Sequence, residues 1–320
     1  MKQLNKEIIK VIKYFSFFAY YPTLDEIHTF LQVKITKNEL NGELKRIKYT
    51  PVEYSMLSQN SKVKSQKLKS KIKNSNEAMK QWNNLTNRKQ ISQSKLNSSR
   101  FKLYIKLLSI FPQILLVGLS GSISMMNAEE DDDVDLFIIT AKNRLFTGRL
   151  ITLILAQLFG LRRNRETRES FNNETMKQLN NVFRNKVCLN LFFDESNLKV
   201  PKFKQTEFVG HEVLQMKPIM IKGDIYERFL KANLWVQAIF PNSTWIISKI
   251  KDQRSKTSSK LKSLKFKPVF DICALTFDLF ERLAKNFQLT SINRHRTTEI
   301  ITSTQLWFHP DDFEKKIKYK

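Results

Sequence analysis

Two apolar runs, "ILLVGL" (114–119) and "DVDLFII" (133–139), bracket a turn of small residues, "SGS" (120–122), and a block of acid. Both runs have strand length and are rich in branched aliphatic side chains, which predicts two buried strands. Six of the thirty acidic residues fall in the seven positions Glu129–Asp135, in a chain with 55 Lys+Arg and a net charge of +25. Strand alternation puts Asp133 and Asp135 on one face, with Val134 and Leu136 on the other. Asp is disfavoured inside strands, so Asp135 between two apolar neighbours asks for a chemical reason. Glu129–Asp132 precede the strand and read as a solvated turn.

A two-residue step brings two carboxylates within reach of one hard cation. Mg2+ prefers oxygen ligands and keeps waters and substrate phosphates in its shell. The Gly121-Ser122 turn leaves room for a triphosphate against backbone N–H groups. Two carboxylates this close repel, so the pair should hold poorly without a cation. These are the parts of metal-assisted nucleotidyl transfer. Past the strand, Lys142, Arg144 and Arg149 either balance the triphosphate or form the solvent face of a helix over 144–161. Asn127 is expected to fix the loop.

The pattern of apolar strand, Gly-Ser, ten residues and Asp-apolar-Asp-apolar resembles the signature of the polymerase-beta-type nucleotidyltransferase superfamily. The fuller string "SGSISMMNAEEDDDVDLFIIT" resembles a bacterial subgroup known only as nucleotidyltransferase-domain proteins. Further likeness lies in "VIKYFSFFAYYPTLDEI", "AKNRLFTGRL", "KVCLNLFF", "HEVLQMKPI", "RFLKANLWVQAIFPN" and "LWFHPDD". The resemblance implies that Gly121 and Ser122 contact phosphate. It implies that Asp133 and Asp135 are the catalytic metal carboxylates, for Mg2+ or alternatively Mn2+. It also implies a third carboxylate on a later strand facing the first two. The best candidate strand is 187–193, where alternation puts Cys188, Asn190, Phe192 and Asp194 on one face. Asn190 falls where an acid is often found. Asn can ligate a metal through its carbonyl but cannot act as a base. Either Asp194 supplies the third group or the site works with two carboxylates.

The expected architecture is α+β: a small mixed β-sheet nucleotidyltransferase core packed with helices, flanked by an N-terminal helix-turn-helix-like module and a C-terminal helical region. Residues 1–60 read as the winged-helix-like module, 61–93 as a basic linker, 94–206 as the core and 207–320 as the helical region. In the first, Thr23-x-x-Glu26 and Thr36-x-x-Glu39 are capping boxes that open helices. Helix 36–47 would then be a recognition helix carrying Lys37, Lys45 and Arg46, with Tyr49–Leu57 as a wing strand. The competing reading is a docking module that never meets DNA. "SKVKSQKLKSKIKN" (61–74) is either a solvated linker or an arm for nucleic acid. In "RHRTTE" (294–299), Arg294, His295 and Arg296 are candidate anion contacts or plain surface charge.

Partners and compartment follow from the totals. The longest apolar run, 150–161, is too short to span a bilayer, so no membrane partner is expected. Two separated cysteines in apolar runs read as reduced thiols of a cytoplasmic protein. The expected partners are an NTP and an acceptor that is a small molecule, a protein or an RNA end. The alternative is a nucleic-acid-binding or nucleotide-sensing protein with a degenerate transferase core.

Overall fold

The computed structural model describes residues 2–47, 49, 76–162, 186–244, 270–294 and 298–308. Among these the fold is mixed α and β, with eleven helices and one six-stranded sheet. The helices are α1 (Lys2–Phe17), α2 (Leu24–Phe30), α3 (Lys37–Arg46), α4 (Asn76–Asn97), α5 (Ser99–Ile110), α6 (Gly121–Ser124) and α7 (Leu145–Leu158). They continue with α8 (Glu207–Gln215), α9 (Ile225–Ala232), α10 (Val236–Ile239) and α11 (Phe270–Asn293). The strands are β1 (Ile114–Leu119), β2 (Val134–Thr140), β3 (Val187–Asp194), β4 (Lys217–Ile221), β5 (Ile300–Ile301) and β6 (Gln305–Trp307).

The sheet order is β4-β1-β2-β3-β6-β5, and only β2 and β3 run parallel. β1 and β2 pair antiparallel with Leu119 opposite Leu136, which lays the Gly121 turn beside the start of β2. The sheet is not confined to 94–206. Its edge strands β4 and β5, and β6 between β3 and β5, come from the C-terminal region that composition marks as helical. β4 was hidden because it is short, contains Pro218 and lies on an edge, where Pro is tolerated.

The sheet separates two apolar cores. On the front, Leu116, Phe137, Ile139, Phe193 and Trp307 pack with side chains of α1, α2, α3, α8, α9 and α10. On the back, Val117, Leu119, Leu136, Ile138 and Phe192 pack with Phe101, Tyr104 and Leu108 of α5 and with Leu145, Phe146 and Ala156 of α7. The two-residue period of β2 makes this division: Val134, Leu136 and Ile138 go back, while Phe137 and Ile139 go front.

Both capping boxes form, with Thr23 accepting from the Glu26 N–H and Thr36 from the Glu39 N–H. The module they shape is docked on the front core. Phe30 stacks on His211 of α8 at 4.0 Å, and Asn242 accepts from the Ile35 N–H and donates to the Val33 carbonyl. On α3, Lys37 is paired with Asp25 and Arg46 with Glu43. The wing segment lies outside the described residues except Tyr49, as do 61–75 of the basic linker, His295 and Arg296. From Asn76 that linker is helix. The stretch 226–240, which reads as one helix, breaks at Asn233. That residue is buried, and its side chain serves the backbone of Leu198, Val200 and Phe229.

Candidate functional site

Ser120 leaves β1 by donating its N–H to the Asp135 carbonyl (3.0 Å), so the turn that follows sits on the side chain of Asp135. Gly121 has φ +60, and a Cβ there would lie 2.6 Å from Asp135 Oδ2. Glycine is required twice over, by the left-handed backbone and by the carboxylate beside it. The sequence motif is therefore assembled: Gly121 and Asp135 are in contact, and Ser120, Gly121, Ser122 and Asp135 all line one cavity of about 630 Å³.

The cavity lies between the front of the sheet and helices α1 and α8. Phe137, Leu191, Phe193 and Trp307 form its sheet wall, and Tyr14, Phe17, Phe18, Phe208, Val209, Val213 and Met216 face them. Into this apolar space α8 introduces Glu212. Its Oε2 accepts from the Gly121 N–H at 3.3 Å, and burial raises its carboxyl above the usual range. Asp135 is pushed up to about 7, by burial first and then by the charge of Glu212, while a hydrogen bond from Cys188 holds it down. Asp133 and Asp132 push it up further. Tyr14 stays a phenol well beyond its usual range, because it is buried and faces Glu212 and Glu207.

Glu212 was missed from sequence, although a signal was there. Val209, Glu212, Val213 and Met216 follow the three-four spacing of a helix face, and that face is the cavity wall. An acid on an apolar stripe is the mark of a site or of a buried partner. No Lys, Arg or His among the described residues is paired with Glu212.

The other expected residues are distributed differently. Asp133 precedes β2 and does not line the cavity; its charge is felt by Lys95 and Lys186. Ser122 donates its hydroxyl to Asp132 Oδ2 at 2.9 Å. The acidic loop is not merely solvated. Glu129 pairs with Arg88, Asp132 Oδ2 accepts from the Glu129 N–H, and the buried Lys95 ammonium donates to the carbonyls of Glu130 and Asp132. Both cations come from α4, in the stretch that composition reads largely as linker. Asn127 does fix the loop: its Nδ2 donates to the Phe18 carbonyl at 2.9 Å.

Lys142 and Arg144 are not at the site. They follow the far end of β2, beyond about 17 Å of strand from Asp135 at about 3.3 Å per residue. Lys142 is exposed and Arg144 pairs with Asp278 of α11. Arg149 is half-buried against the back core, bonded to Gln288 and stacked over Phe308. The antiparallel pairing of β1 with β2 is the reason, since it places the Gly-Ser turn at the beginning of β2.

Asp194 also fails to face Asp133 and Asp135. The register of β3 on β2 shifts between the pairs Asp135–Cys188 and Phe137–Leu191, so alternation breaks along β3. Val187, Leu189 and Phe192 consequently belong to the back core. Leu191 and Phe193 line the front cavity. Asp194 pairs with Thr140, whose methyl packs against Gly148 of α7. Its carboxylate accepts from the Asn143 N–H, the Ser196 N–H and the Ser196 hydroxyl. Of the four residues expected on one face, Cys188 and Asn190 remain together, with the Asn190 amide donating to the Cys188 sulfur. Opposite Asp135 the parallel strand thus presents a thiol rather than an acid.

No group of three or more His, Cys, Asp and Glu among the described residues could hold a metal ion by itself. Asp133 and Asp135 are enough carboxylate for Mg2+, which needs one or two and takes its remaining oxygens from phosphate and water. Among the described residues no helix is long and apolar enough to cross a membrane. No protein-family model matches the chain, and no curated protein or solved structure matches it significantly.

Proposed function

We propose that the chain is a Mg2+-dependent nucleotidyltransferase, moving a nucleoside monophosphate from an NTP to an acceptor with release of pyrophosphate. One observation carries this reading: the Gly121-Ser122 turn is seated on Asp135 at the wall of a ligand-sized cavity. On this reading β1, β2 and β3 with α5 and α7 are the transferase core. The helices α1–α3 are a winged-helix-like module docked on it, and the compartment is the cytoplasm, which supplies NTP.

Asp133 and Asp135 would hold the ion, which neutralises phosphate charge when bound. Gly121 offers backbone without a side chain, so a phosphate can approach it. The Gly121 N–H and Ser122 hydroxyl, now donating to Glu212 and Asp132, are the two donors a phosphate would take over. The acceptor oxygen bonds to the α-phosphorus, the bond from that phosphorus to the pyrophosphate oxygen breaks, and the acceptor proton leaves to solvent. Apolar walls keep water from competing as the acceptor.

A second reading is favoured by a specific observation. Cys188 stands opposite Asp135, and Lys142 and Arg144 are remote from it. A nucleotide-sensing or nucleic-acid-binding protein with a degenerate core would look like this. The two readings separate in one experiment. The double change Asp133→Ala, Asp135→Ala should abolish Mg2+-dependent label transfer from NTP if the first holds. It should leave salt-sensitive nucleic-acid binding unchanged if the second holds. A wild-type protein that binds no NTP at millimolar Mg2+ sinks the enzyme.

A further inference from the structure

Glu212 is not needed to explain a two-carboxylate metal site, and among the described residues no cation is paired with it: Arg88 and Lys204 line the same cavity, but Arg88 is paired with Glu129. Among the described residues it accepts one hydrogen bond, from the Gly121 N–H. Asp135 lines the same cavity and stands beside the same glycine, its Oδ2 2.6 Å from where a Gly121 Cβ would lie. Placing a phosphate at the Gly121 turn would add negative charge beside Glu212. A cation arriving with a ligand would relieve that charge.

The rest of the cavity describes that ligand. Phe17, Phe18, Phe208, Phe229 and Trp307 line the walls, so most of its surface is apolar. Asn127 lines the same cavity, is 2% exposed, and its Oδ1 accepts no hydrogen bond. Two carboxylates and an unused amide oxygen are all acceptors. They suit a donor-rich head on an apolar body.

We propose that the cavity binds a small organic amine with an aromatic or aliphatic body, its ammonium seated on Glu212. Where its body also carries a hydroxyl, such an amine is the acceptor of the transferase, the hydroxyl oxygen taking the nucleoside monophosphate while the ammonium stays on Glu212. As an acceptor assignment this rests on the transferase reading; as a statement about binding it does not. The charge on Glu212 selects the head, and the ring walls select the body. An RNA end brings no apolar body to these walls and does not fit them.

The test uses two probes of the same shape, tryptamine and tryptophol, which differ in carrying an ammonium or a hydroxyl. Each is added at millimolar concentration to the full chain without nucleotide or metal, and binding is read by thermal shift and by ligand-observed NMR. Tryptamine should bind at least about tenfold more tightly than tryptophol, as expected of a charge-assisted contact. Glu212→Gln should remove that preference while keeping the fold, since Gln keeps an acceptor for the Gly121 N–H. Equal binding of the two probes overturns the proposal, as does no tryptamine binding. A preference that survives in Glu212→Gln overturns it as well. Neither probe needs NTP or Mg2+. Failure here therefore leaves NTP binding to be judged by itself, and failure of NTP binding leaves this result standing.

Discussion

Asp135 and Asp194 stand on neighbouring strands of the one parallel pair, near its opposite ends, and they are treated differently by the fold. Asp194 is 1% exposed and receives three hydrogen bonds, from the Asn143 N–H, the Ser196 N–H and the Ser196 hydroxyl. Asp135 receives one, from a thiol, and faces a second carboxylate instead of a donor. The Asp194 end is packed closed. A Cβ on Gly148 would lie 2.5 Å from the Thr140 methyl there, whereas the Asp135 end opens on a cavity of about 630 Å³. A satisfied buried acid builds structure. An unsatisfied one beside an open space is kept at a cost in stability, and the gain has to come from a ligand.

Substitutions can break this contrast, and the largest effect should fall at the structural end. Asp194→Ala leaves three donors without an acceptor, at about 1–3 kcal/mol each before relaxation. We expect a loss on the order of 4 kcal/mol in denaturant unfolding, with NTP binding unchanged in whatever fraction stays folded. At the other end Asp135→Asn should lower Mg2+-dependent transfer by at least about a hundredfold, a bound taken from the loss of groups around metal ligands. Its melting temperature should not fall, because the change removes a buried, unpaired charge. A clear drop in melting temperature would show that Asp135 is structural after all.

The glycines sharpen the same point. Gly121→Ala and Gly160→Ala both force alanine into left-handed backbone, at about 1–2 kcal/mol. Around Gly160 there is open space, whereas at Gly121 the new methyl meets Asp135. Only Gly121→Ala should also lose transfer, measured at equal folded fraction.

The remaining tests are titrations. Asp135 has its folded pKa raised to about 7, above its unfolded value. Its charge therefore destabilises the fold above that pH, and the penalty fades as pH falls toward the ordinary carboxylate range. With chelator present, Asp135→Asn should be more stable than wild type at pH 8, and the gap should close by about pH 4. His211 has the opposite sign. It is stacked between Tyr14 and Phe30, and burial followed by the charge of Lys10 lowers its pKa well below 6.5. The unfolded chain alone takes up that proton, so stability falls as pH drops below about 6.5. Replacing His211 with Phe should flatten that acid limb of the melting curve.

Several of these features were legible in the sequence for physical reasons. β1 and β2 could be read because each presents apolar residues in strand-length runs. Asp135 stood out because an acid inside such a run violates its surroundings. The capping boxes of Thr23 and Thr36 could be read because they are local chemistry. What stayed hidden was relational. A register shift in β3 moved Asp194 to the back of the sheet, and no pattern within "VCLNLFFD" signals it. Lys142 and Arg144 follow the strand closely in sequence, but the antiparallel pairing with β1 sends them to its far end. Arg88 and Lys95 lie on a helix before β1, and only the fold brings them to the acidic loop. Glu212 lay on a readable helical stripe, but its partner across the cavity, Asp135, is far away in the chain.

The cavity walls are drawn from nearly the whole length of the described chain. Tyr14 and Phe17 come from the first helix, Phe18 follows it directly, and Trp307 comes from the last described strand. During synthesis on the ribosome the first helix emerges early and must wait, with its aromatic rings uncovered, until almost every other wall has been made. The pocket is thus a late product of translation, and a chain released before Trp307 would leave the ribosome with the sheet wall of its binding chamber incomplete.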